Sequence, residues 1–148
     1  MLKKDENDML DLLNIINKMR SSEPSKNKVD YWIQYYTEND YKRHTDKGGK
    51  WLIFCSREEV DTIWSNIKKA QDKGVLGNIT KVSTAFKKNK DNNHVICVYT
   101  YDSTDKDDVL RVRLALRDLG FTDILNYKRD IETINGVYGS DNEFLLKV

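Results

Sequence analysis

The stretch from Gly77 to Tyr101 constrains this chain more than any other part of it. Gly-Asn-Ile-Thr-Lys-Val-Ser-Thr-Ala-Phe and then His-Val-Ile-Cys-Val-Tyr-Thr-Tyr are rich in β-branched and aromatic residues and read as two neighbouring strands. Lys81, Ser83 and Thr84 stand in the first strand, and His94, Tyr99 and Tyr101 interrupt the second. A sheet centre that carries so many polar groups suggests an anion site.

Side chains alternate across a strand, so Lys81 and Ser83 point away from Val82 and Thr84. Val82 and Phe86 favour the core, which leaves Lys81 and Ser83 to an uncovered face. On the second strand Val95, Cys97, Tyr99 and Tyr101 oppose His94, Ile96, Val98 and Thr100, and one of the two sets must face the helices. Spacing alone reads Lys81 equally well as a solvated strand lysine.

The remaining elements follow from patterns and caps. Met9, Leu12, Leu13, Ile16 and Met19 recur at helical spacing, which predicts an amphipathic helix within residues 1–22, packed on the domain or acting as an arm or dimer contact. Residues 23–148 read as a single α+β domain, after a joint at 21–28 that holds the only Pro. Val29 to Tyr36 is strand or extended chain, Gly48-Gly49 ends a polar loop, and Lys50 to Cys55 is a strand. Ser56-Arg57-Glu58-Glu59 has the form of a capping box for a helix to about Lys73, with Val60, Ile63, Trp64, Ile67 and Ala70 on its buried stripe and Gly74 past its end. Ser103-Thr104-Asp105 starts a second helix with Val109, Val112, Leu116 and Leu119 on one face and Gly120 beyond. Ile124 to Lys128, Glu132 to Tyr138 and Glu143 to Val148 are short strands. The order predicts an antiparallel or mixed sheet with helices on one face.

With 25 Lys and Arg against 24 Asp and Glu, no bulk field marks a nucleic-acid or membrane binder, so any basic site must be local. The absence of a signal-like or roughly 20-residue apolar stretch predicts a cytoplasmic protein without a membrane partner. Cys55 and Cys97 lack metal-ligand spacing and read as buried and reduced; no metal or cofactor is expected. His44 and His94 flank no nucleophile motif and read as surface or rim residues. Arg111, Arg113 and Arg117 form a helix stripe suited either to ion pairs with Asp107, Asp108 and Asp118 or to a phosphate. Tyr127-Lys128-Arg129-Asp130 brings cations and an acceptor to the sheet rim, or is a charged turn.

Gly49-Lys50-Trp51-Leu52, Leu76-Gly77 through Thr80-Lys81-Val82-Ser83-Thr84, His94 through Thr100, Arg111-Val112-Arg113 with Leu119-Gly120-Phe121, and Tyr127 through Asp130 with Thr133 and Gly136-Val137-Tyr138 form an ordered series. Together they resemble the basophilic-leukaemia-expressed protein family, also labelled phosphothreonine-lyase-domain proteins. The resemblance spans roughly residues 32–138 and implies a fold similar to the messenger-RNA cap-binding initiation factor, a curved, mostly antiparallel sheet with helices on one face. It also implies a distant similarity to effector lyases that eliminate phosphate without metal, with Lys81 at the base position and Lys50 at the lysine of a Lys-x-His motif. Leu52 stands where that motif has its acid, which leaves His94 as the alternative acid. Retained cations without an acid suit a module that binds a phosphorylated or other anionic ligand at Lys50, Trp51, Ser83, Thr84, Tyr99, Arg111, Arg113, Tyr127, Lys128 and Asp130. The alternatives are an active phosphothreonine lyase, a protein-interaction domain, and a nucleotide or cap-like nucleic-acid binder that stacks a base on Trp32 or Trp51.

Overall fold

A computed structural model of the chain describes residues 4–87, 93–131 and 146–148. Its elements run α1 (Lys4–Met19), β1 (Trp32–Tyr36), β2 (Gly49–Ser56), α2 (Arg57–Asp72), β3 (Ile79–Ser83), β4 (Asn93–Thr100), α3 (Lys106–Asp118), β5 (Asn126–Arg129) and β6 (Leu146–Lys147). The six strands form one antiparallel sheet in the order β1-β3-β4-β2-β5-β6. This is the α+β architecture the sequence predicts. The expected strand at 132–138 lies outside the described residues, as do residues 143–145 of the last one.

Helices α2 and α3 cover one face of the sheet. Val60, Trp64, Ile67 and Ala70 of α2 and Val109, Val112 and Leu116 of α3 are buried against Trp51, Ile53, Val82, Ile96, Val98 and Tyr127. The Trp51 indole donates to the Val109 carbonyl at 3.0 Å, so the ring is clamped into the covered face. Gly74 and Gly120 follow the two helices at φ of +76° and +106°, the left-handed exit expected of a C-terminal glycine. Two details depart from the sequence reading. Asp105 caps α3 within the expected Ser103-Thr104-Asp105 start, accepting from the Asp108 amide at 3.2 Å, but the Ser56 hydroxyl bonds the Glu59 carboxylate at 3.1 Å instead of capping α2. Leu119 is 40% exposed because the chain turns at Gly120, so it drops off the buried stripe.

Gly49 is fixed by a close approach. A methyl group there would fall 2.2 Å from the Tyr127 hydroxyl, which is itself bonded to the Thr100 hydroxyl at 2.7 Å in the core. Gly49→Ala is therefore expected to destabilise the fold by about 1 to 3 kcal/mol, read as a lower urea midpoint at unchanged slope.

Candidate functional site

Register decides which side chains share the uncovered face. Lys81 pairs directly with Cys97 and Gln34, while Lys50 pairs with Tyr99 on one side and Lys128 on the other. Directly paired residues lie on the same face of a sheet. The face opposite the helices therefore carries Lys81 and Ser83 on β3, Cys97 and Tyr99 on β4, Lys50 and Leu52 on β2, Lys128 on β5 and Trp32 on β1.

Tyr99 sits between two of the lysines. Its ring centroid is 5.5 Å from Lys50 Nζ and 5.9 Å from Lys81 Nζ, and Lys81 Nζ also lies 4.0 Å from the centre of the Trp32 ring. Two aromatic faces thus hold the Lys81 ammonium in place. Among the described residues no carboxylate lies within ion-pair distance of it. Burial pulls the Lys81 amine below the ordinary lysine range; Cys97 opposes this, the smaller effect of the Lys50 charge adds to it, and Asp130 opposes it least. Burial likewise pushes the Cys97 thiol up to about 11, so it is neutral near pH 7.

Lys50 and Lys128 are almost wholly buried on this face. A buried cation is costly unless compensated. Asp130 supplies part of that compensation: one carboxylate oxygen accepts from Lys50 Nζ at 3.3 Å, and the other meets His44 Nε2 at 2.7 Å. Loop 37–48 brings His44 there. It is stitched down by Thr45 N to the Tyr101 carbonyl, Ser103 N to the Lys47 carbonyl and Asp130 N to the Gly48 carbonyl. Gly48 permits the approach, since a Cβ at that position would fall 2.0 Å from His44 Nε2.

Burial works against the Asp130 charge, but the His44 hydrogen bond and the Lys50 charge outweigh it and hold the carboxyl below the usual carboxylate range. A folded-state pKa below the unfolded value gives stability that is present above the unfolded pKa, about 3.9, and is lost as pH falls through the folded one. Asp130→Asn is expected to make the acid limb of a stability-against-pH curve shallower in that window. An unchanged limb in denaturant titrations from neutral to strongly acidic pH would show that the carboxylate contributes nothing there.

Several expected site residues lie elsewhere. His94 is on the helix-covered face, 1% exposed, with its Nδ1 2.8 Å from the Ser83 carbonyl, so it points away from Lys81 and is no acid for that face. Trp51 and Tyr127 are core residues at 0% exposure. Thr84 shares the covered side with Val82 and hydrogen-bonds the Asp30 carbonyl. Ser83 faces the open side, where its hydroxyl accepts from the Val95 amide at 2.9 Å. Arg111 spans Asp108 and the Val75 and Leu76 carbonyls, and Arg113 is buried against the Val148, Phe121 and Asp123 carbonyls. Both arginines brace the helix side. His44 is the residue the sequence reading missed, because nothing in its own neighbourhood signals a partner 86 residues away.

The described residues contain no cluster of three or more His, Cys, Asp and Glu that would hold a metal, and no helix long and apolar enough to cross a membrane. The arrangement is instead a set of three lysines with two aromatic rings on one sheet face, where Asp130 is a counter-ion of Lys50.

The architecture is similar to that of solved initiation-factor structures. Schistosome eIF4E complexed with m7GpppG and 4E-BP matches with a TM-score of 0.63 at 13% identity, covering 94% of this chain and 80% of that one. Caenorhabditis elegans eIF4E-3 with the 4E-binding protein Mextli and cap analog matches at 0.59 and 17%, with the same coverage. Ascaris suum eIF4E-3 with m7G cap matches at 0.55 and 17%, covering 96% and 79%. At such identities the likeness establishes the fold alone. The sequence match is more specific, because residues 42–134 fit one family and that span holds His44, Lys50, Lys81, Tyr99, Lys128 and Asp130. The chain belongs to the family of the basophilic leukemia-expressed protein Bles03.

Proposed function

We propose that this protein is a binding module for a phosphorylated or otherwise anionic ligand, received on the sheet face opposite the helices by the half-buried Lys81, with the buried Lys50 and Lys128 beside it. The observation that carries the reading is Lys81: a cation held between Trp32 and Tyr99, beside Lys50, with no carboxylate of its own among the described residues. A phosphate there would gain charge-assisted hydrogen bonds and relieve repulsion between neighbouring ammonium groups. Ligand binding should accordingly restore the Lys81 pKa toward the ordinary range. The phosphate-elimination alternative lacks its acid, because Leu52 occupies the open face beside Lys50 and His94 faces the core.

The solved neighbours that hold m7G cap compounds make nucleoside polyphosphates the first ligands to try, with Trp32, partly exposed on the edge strand, available to a base. Inorganic phosphate, nucleotides and phosphopeptides should be screened by thermal shift. A ligand at a hundredfold excess over its Kd adds about 2.7 kcal/mol, or roughly 5 to 10 °C for a chain of this size. The shift should fall to about half or less in Lys81→Met and persist in full in Lys87→Ala, which alters an exposed lysine beyond the end of β3. No shift with any of these anions, or a shift undiminished in Lys81→Met, would remove the proposal.

A further inference from the structure

Strand β1 closes one edge of the sheet and pairs only with β3. Its main-chain groups divide between two sides. The Thr84 amide donates to the Tyr31 carbonyl at 3.2 Å and the Thr37 amide to the Asn78 carbonyl at 3.1 Å, in the register that sets Ile33 against Val82 and Tyr35 against Thr80. Residues that bond a given neighbour alternate along an antiparallel ladder. The odd-numbered residues of β1 therefore turn their N–H and C=O groups to β3, and Trp32, Gln34 and Tyr36 turn theirs outward. Among the described residues no hydrogen bond reaches these outward groups.

Such an edge is a template for another strand, and proteins ordinarily blunt it with a charge, a proline or a bulge. Trp32-Ile33-Gln34-Tyr35-Tyr36 has none of the three, and its register with β3 is unbroken. Trp32 and Tyr36, 38% and 61% exposed, project with Gln34 onto the face opposite the helices. The edge is thus both open and lined by aromatic surface.

The same register fixes what an added strand would meet. Gln34 lies directly across from Lys81. A residue opposite Gln34 on an added antiparallel strand would share that face and stand about 10 Å from the Lys81 backbone, two strand spacings away. Its side chain would run between Trp32 and Tyr36, over the Gln34 amide, toward the Lys81 ammonium that sits 4.0 Å from the centre of the Trp32 ring. Gln34 Oε1 accepts from the Tyr36 hydroxyl, so the side-chain N–H groups of Gln34 are left to donate. A phosphate, with its several acceptor oxygens, can take the amide and the ammonium together.

Given the anion-binding role proposed above for Lys81, we infer that this edge receives a phosphorylated peptide in extended conformation, added antiparallel to β1 with its phosphorylated residue opposite Gln34. Main-chain bonds to Trp32, Gln34 and Tyr36 hold the peptide whatever its sequence, and the phosphate at Gln34 and Lys81 sets its register. Free phosphate has only the second of these contacts.

Nine-residue peptides of alternating Thr and Val around a central phosphoserine, phosphothreonine or phosphotyrosine test this on the full chain by fluorescence anisotropy. At least one should bind tenfold or more tightly than its unphosphorylated counterpart and than inorganic phosphate in competition. Methylating the amide nitrogen of the phosphorylated residue should weaken that peptide tenfold or more. Methylating the residue before it, whose N–H points away from β1, should not. Amide exchange at Trp32, Gln34 and Tyr36 should slow when the peptide binds and stay fast with inorganic phosphate. If neither phosphate, nucleotides nor any peptide binds, the anion reading of Lys81 falls and strand addition falls with it. Phosphate or nucleotide binding without tighter peptide binding overturns strand addition alone. So does a methylation pattern that is flat or reversed, and so do edge amides already protected in the free protein by pairing of two copies.

Discussion

Replacing Arg113 by methionine is expected to cost about 4 kcal/mol of stability and lower the melting temperature by roughly 10 °C. The guanidinium is 1% exposed and pairs with no side-chain carboxylate among the described residues; it donates to three main-chain oxygens, of Val148 at 2.9 Å, Phe121 at 2.9 Å and Asp123 at 2.7 Å. Those three acceptors belong to the segment after α3 and to the strand-edge residue Val148, whose amide and carbonyl also pair with Leu125. Methionine fills much of the volume but leaves the carbonyls unsatisfied, each at about 1 to 3 kcal/mol. Arg113→Lys should recover less than half of the loss, since an ammonium cannot present the same planar fork. Urea unfolding of the three proteins measures this directly, and a loss below about 1 kcal/mol would show that water replaces the guanidinium cheaply. Anion binding on the lysine face should be unchanged at temperatures where the variant is folded. That separation matters, because Arg113 and Lys81 read from the sequence as members of one phosphate-binding set and the fold assigns them to opposite sides.

The architecture was largely legible because its signals are local. Val60, Trp64, Ile67 and Ala70 recur at helical spacing and are buried together, and Gly74 and Gly120 stand where a left-handed residue ends each helix. The placement of Lys81 was legible too, since Val82 had to face the core. The site as a whole was not. Val95 to Val98 is apolar at every position, so periodicity cannot say which half of β4 faces the helices; only the pairing of Cys97 with Lys81 settles it and turns His94 inward. His44, Lys50 and Asp130 meet through a loop pinned at both ends by backbone bonds, and no spacing rule links residues that far apart. Helix α1 is a different case. Its pattern correctly predicts a helix with an apolar side, but a pattern cannot name what covers that side.

Replacing Lys81 by methionine should weaken anion binding about 10- to 100-fold while leaving the free protein equally stable or more stable by up to about 1 kcal/mol. The first expectation follows from the loss of a charge-assisted contact worth about 1.5 to 3 kcal/mol. The second follows from the cost of keeping that charge. In the ligand-free protein Lys81 has no carboxylate partner among the described residues, and burial together with Lys50 depresses its pKa. A group whose charged form is disfavoured by folding lowers stability at every pH below its folded pKa, and the penalty fades as pH rises toward the unfolded value of about 10.4. Methionine keeps the straight chain and its contact with the Trp32 ring without the charge. Binding should carry the same signature in reverse, falling as pH rises through the depressed Lys81 pKa, at a lower pH than for an ordinary lysine. A cation that served only the fold would give the opposite pair of results, with lower stability in Lys81→Met and unaltered affinity. Measuring both quantities on one variant therefore separates a lysine kept for a ligand from one kept for the sheet.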